Sequence, residues 1–115
     1  MTRSTGLGQW PEKPPLPRNL MAVIRSLIEH SDVVLLDHAE ERMLERDIDM
    51  LDVLRVLKTG EIVGSINPGI SSDEWKCKVT ASPRYPDDKR EIGVVTIVVR
   101  ASRLLIKTVE WEVEI

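Results

Sequence analysis

The chain contains a single cysteine, Cys77, which excludes an intramolecular disulfide and a cysteine-built zinc cage. Set in WKCKV, between alternating neighbours, that cysteine reads as a small buried hydrophobe rather than a nucleophile. Aromatic residues are scarce. Trp10, Trp75, Tyr85 and Trp111 are the whole set, too few for the stacking platform of a nonspecific single-strand binder. No apolar run approaches the ~18–20 residues that cross a bilayer, and the start MTRSTGLGQWPEKPPLPR lacks the apolar centre of a secretory signal, so a cytoplasmic protein without a membrane partner is expected. Only two histidines occur, His30 and His38, on different predicted helices. With no HExxH, Walker loop or dinucleotide fingerprint beside them, neither a metal nor a cofactor is expected.

What remains is enough for one modest core. The chain has 115 residues, 42% of them hydrophobic, which supports a single domain and is too short for two. Four of its seven prolines lie within residues 1–17, predicted to be a proline-rich flexible arm ahead of a single α+β domain over 18–115. The net charge of −3 argues against strong electrostatic binding of nucleic acid, but the charges are unevenly spread. Ten acids face four bases between Glu29 and Glu61, whereas eight bases face four acids between Glu74 and Lys107. An acidic helical half precedes a basic half.

Asn19 is placed to cap a first helix over Leu20–His30, in which Leu20, Val23, Ile24, Leu27 and Ile28 recur at helical spacing. The run VVLL at 33–36 is either a short strand or a buried extended link. Asp37 is placed to cap a second helix, His38–Arg46, with Ala39, Met43 and Leu44 pointing inward. Asp49 caps a third helix, whose buried stripe is Leu51, Leu54, Val56 and Leu57 and whose stop is Gly60. Beyond Gly60 the period changes to alternation. EIVGSI, EWKCKVTA, IGVVTIVVRA and LLIKTVEWEVEI read as four strands joined by short links, predicting N-terminal helices followed by a four-stranded antiparallel sheet.

His38 and Arg42 stand four apart on the second helix, one above the other, and Glu45 and Arg46 extend the same flank. Two readings are open. The flank is a row of exposed ion pairs, or His38, the one side-chain type that titrates near neutral pH, works with Arg42 on a substrate phosphate. On the sheet, Trp75, Cys77 and Val79 alternate with Lys76 and Lys78, so both lysines share an outward face, and Arg100 closes the following strand. Arg84, Lys89 and Arg90, in the loop before that strand, are further cations for the same side. Lys107 interrupts the apolar set Leu105, Val109, Trp111 and Val113; it either snorkels to an edge or is held for an anion.

The stretch HAEERMLERDIDMLDVLRVLKTGEIVG, with TVEWE near the end, resembles a family of small bacterial domains known as domain of unknown function 4258. His38, Ala39, Arg42, Met43, Glu45, Arg46, Ile48, Val53, Leu57, Gly60 and Ile62 carry the likeness, over roughly residues 33–113. Such domains are similar in layout to the RelE and BrnT toxins, ribonucleases that cleave messenger RNA and are silenced by an antitoxin. The resemblance implies a RelE/BrnT-like fold and a metal-independent endoribonuclease. In it His38, Arg42 and Glu45 would be catalytic, with Arg46, Lys76, Lys78, Arg100 and Lys107 on the RNA. It also implies RNA and an antitoxin-like protein as partners, with self-association open. The competing expectation is a non-catalytic protein-interaction module of the same fold.

Overall fold

The computed structural model describes residues 11–82, 90–100 and 102–112. The arm predicted over 1–17 falls largely outside them, as do Arg84, Tyr85, Lys89 and Val113. Three helices and five strands follow in the order α1 (Pro17–Glu29), β1 (Val33–Leu35), α2 (Asp37–Arg46), α3 (Met50–Thr59), β2 (Glu61–Pro68), β3 (Glu74–Ala81), β4 (Ile92–Val99) and β5 (Arg103–Trp111). The fold is α+β, but the sheet corrects the four-stranded antiparallel prediction. Its order is β1-β5-β4-β3-β2, and β1 joins it parallel to β5. A three-residue strand carries too little alternation to be told from a link, and its partner lies about seventy residues downstream in the chain.

Two helix starts differ from expectation. Pro17 occupies the first turn of α1, where its missing N–H costs nothing, so the helix begins before Asn19 and Leu16 is the residue ahead of it. Likewise Asp37 is the first helical residue of α2 rather than its cap, and favours the positive end of the helix dipole from there. The α2–α3 turn is built by Asp47 in the left-handed conformation (φ 55°), followed by buried Ile48, whose N–H returns to the Met43 carbonyl at 3.0 Å. In α3 the expected cap is present as a reciprocal pair: the Asp49 carboxylate accepts from Asp52 N at 2.9 Å, and Asp52 accepts from Asp49 N at 3.2 Å. Asp49→Ala is expected to lower stability by ~1 kcal/mol, read as a urea-midpoint shift at constant slope. An unchanged midpoint would show that the cap contributes nothing.

The core lies between the helices and one sheet face. Leu20, Val23, Ile24 and Leu27 of α1, Val53, Val56 and Leu57 of α3, and Ala39 of α2 meet Trp75, Cys77, Val79, Val94, Val98, Leu104, Ile106 and Val109. Leu51 and Leu44, assigned inward above, instead stand 61% and 85% exposed. Both lie one helical step off the buried stripe, and in helices of ten residues each that ambiguity is not averaged out. From α1, Arg25 reaches across to the carbonyls of Lys58 and Gly60 at 2.9 and 3.1 Å, a cation on the negative end of α3.

Candidate functional site

The His38 flank forms as the helical spacing requires. Arg42 Nε donates to His38 Nε2 at 3.2 Å, and the Arg42 guanidinium bridges both oxygens of Glu45. Glu45 also lies 3.6 Å from Arg46, and Glu41 lies 4.0 Å from His38 Nδ1. Because Nε2 accepts, the imidazole proton belongs on Nδ1, and its lone pair is occupied by Arg42. All these groups are exposed or half-buried, so each pair contributes only tenths of a kcal/mol.

The sheet cations divide. Lys78 is bound by Glu112 at 2.7 Å and lies 3.9 Å from Glu110. The Glu112 hydrogen bond holds its ammonium pKa above the usual lysine range, against a smaller opposing effect of burial, with the Glu112 and Glu110 charges adding to the rise. The folded value is raised, so the pair's contribution is complete below the unfolded lysine value of ~10.4 and is lost only as pH climbs through the folded one. Gly93 makes room for the pair: a Cβ there would meet Glu112 Oε2 at 2.9 Å and Lys78 Cδ at 3.2 Å. Arg100 sits in the β4–β5 turn rather than at a strand end, with φ 53°, and is bound by Asp73 at 2.8 Å. Arg90 lies over the Trp111 ring at 4.1 Å.

Lys107 departs from the expected pattern. Val95 pairs with Thr108 and Thr96 with Ile106, so Lys107 is the extra residue of a β-bulge. The bulge shifts the alternation by one: Leu104 and Ile106 face the core before it, Val109 and Trp111 after it, and Leu105 turns outward. Lys107 therefore never belonged to the buried set. With Lys76 it lines a cavity of about 380 Å³, walled by Leu36, Pro68, Gly69, Ile70 and Ile97. Lys76 is paired in register with Ile97, which is buried although it lies on the face away from the helices. Ile70, at the lip, is wholly exposed. Among the cations singled out from the sequence and described here, Lys76 and Lys107 have no carboxylate partner among the described residues. Leu36 immediately precedes α2, so His38 is two residues beyond this wall.

Of the eight predicted site residues, the structure thus joins His38, Arg42, Glu45 and Arg46 on one helix flank, joins Lys76 and Lys107 in one cavity, and neutralises Lys78 and Arg100 separately. Leu36, Ile70 and Ile97 were missed, because nothing local in the sequence marks a loop that returns to a sheet face.

In comparison with known families, the family described as Domain of unknown function (DUF4258) matches residues 35–111. The chain belongs to that family. The DUF4258 region takes in β1 from Leu35, both α2 and α3, and the remaining four strands, leaving α1 outside. No curated protein and no solved structure matches the chain. Among the described residues of this DUF4258 protein no helix is long and apolar enough to cross a membrane. Its Cys77 is buried, and burial pushes the thiol up to about 12, so the thiolate required of a nucleophile is absent at neutral pH.

Proposed function

We propose that this DUF4258 domain acts on RNA in the manner of a toxin-like endoribonuclease, with the Lys76–Lys107 cavity as its phosphate contact. The reading rests on one observation: two of the cations singled out from the sequence, without carboxylate partners among the described residues, line a single cavity, and its wall runs directly into the helix that carries His38 and Arg42. Backbone phosphate supplies the negative charge that two lysines lining one cavity lack. An entering phosphate also competes for Arg42. Drawing the guanidinium off His38 frees Nε2 to take the proton of a 2′-hydroxyl as that oxygen attacks phosphorus. Arg42 then stabilises the charge on the phosphorane while the lysines hold a neighbouring backbone phosphate, the 5′ oxygen leaves with a proton from solvent, and a 2′,3′-cyclic phosphate remains.

Induced expression is expected to arrest growth with fragmented messenger RNA, and His38→Ala or Arg42→Ala to relieve the arrest. With a labelled single-stranded RNA, replacing Lys76 and Lys107 together by alanine should weaken binding and flatten its salt dependence by about 0.7 per lost phosphate contact. Intact transcripts from soluble wild-type protein would dispose of cleavage. An unaltered salt slope in the double variant would dispose of the phosphate site.

A further inference from the structure

A second concave surface of the domain lies elsewhere, between α2 and the start of α3. It is a groove of about 470 Å³ floored by Leu35, Met43, Leu44, Ile48 and Met50. Leu44 is 85% exposed there, an arrangement that marks a contact surface rather than a core position. The charged residues of the lining are Glu40, Asp47 and Asp49, all acidic.

The groove is continuous with an open sheet edge, because Leu35 belongs to both. β1 is the last strand in the sheet order, with no strand beyond it among the described residues. Leu104 N donates to Asp32 O at 2.8 Å and Leu36 N to Ile106 O at 3.1 Å, so the even-numbered residues of this segment turn toward β5. By the alternation of a parallel ladder, Val33 and Leu35 present their N–H and C=O groups to the open side. The opposite edge is protected. β2 is broken by Gly64 at φ 70°, by a register shift between Val63 and Asn67, and by Pro68.

We propose that an extended segment of a partner protein adds to β1 as a sixth strand, seating alternate aliphatic side chains in the α2–α3 groove and placing lysine or arginine against Glu40, Asp47 and Asp49. Charge complementarity selects this occupant. β1 is itself flanked by Asp32 and Asp37, so two copies pairing edge to edge would set acid against acid, whereas a basic-flanked apolar strand meets opposite charge throughout. Backbone pairing supplies affinity and the groove supplies side-chain selection. This site goes beyond the RNA reading and shares no residue with the lysine cavity.

The whole chain, immobilised, is panned against a random-peptide phage library. The expected product is a consensus of aliphatic residues at alternate positions, flanked by Lys or Arg. A synthetic peptide of that consensus should shift the amides of Val33–Leu35 and the methyl signals of Met43, Leu44 and Met50. Leu44→Asp, on an exposed side chain and checked for unchanged circular dichroism, should weaken it about tenfold or more. Lys76→Ala with Lys107→Ala should leave it unchanged, which separates this surface from the RNA site. No enriched consensus, an acid-rich one, or full affinity for Leu44→Asp would overturn the proposal.

Discussion

Gly60→Ala is expected to destabilise the domain by about 3 kcal/mol, at the top of the usual range for overpacking. The cause is not backbone freedom, since φ at Gly60 is −84°, a value any residue adopts. It is proximity. A Cβ at this position would lie 2.4 Å from the Thr80 carbonyl oxygen, 2.6 Å from that of Val56 and 2.9 Å from Val79 Cγ1. Two of the three obstacles are backbone atoms held in the β3 ladder and in α3, so no side-chain rotation relieves the clash. Relief requires α3 to lift from the sheet, which also loosens the Arg25 contact to the Gly60 carbonyl. Chemical denaturation would register the loss as a lowered midpoint with the slope retained. A change below ~1 kcal/mol would show that the α3–β2 junction yields more readily than this geometry allows.

The second large effect is expected from Ile106→Ala, at about 3–4 kcal/mol for a fully buried isoleucine in a site that cannot collapse. Ile106 stands in β5, beside Leu35 of β1 on one side and Thr96 of β4 on the other. Its side chain is inside the core, and its carbonyl receives the Leu36 N–H that leads into α2. The cavity would therefore open beneath the shortest strand. Amide exchange at Val33–Leu35 should accelerate more than at β3, which keeps partners on both sides. Uniform acceleration across the sheet would mean that β1 is not a separate weak point.

The helical half was legible because its signals are local. The Asp49 cap, the Gly60 stop and the α1 stripe each depend on residues within a few turns of one another, and each is present. The sheet was legible only where alternation runs uninterrupted, as in β3, whose observed limits match the pattern. At Lys107 the same rule failed. A bulge adds one residue and reverses every later facing, and its position is set by pairing with β4 rather than by any feature of β5 alone. The His38 flank was read correctly as a contiguous row, but whether the sheet cations joined it was beyond reach. Lys78 and Arg100 found carboxylates at Glu112 and Asp73, thirty-four and twenty-seven positions away.

The sequence by itself determined the α+β class, the helix pair around Asp47 and Ile48, the buried thiol, and the stacking of His38 on Arg42, all consequences of spacing along one segment. The tertiary structure alone decided that VVL is a parallel edge strand, that Leu44 opens into an acidic-rimmed groove, and that Lys76 and Lys107 share a cavity. The physical reason is common to all three. Each depends on which distant segment lies alongside, and a contact between residues far apart in the chain is set by the packing of the whole core rather than by either partner's neighbours.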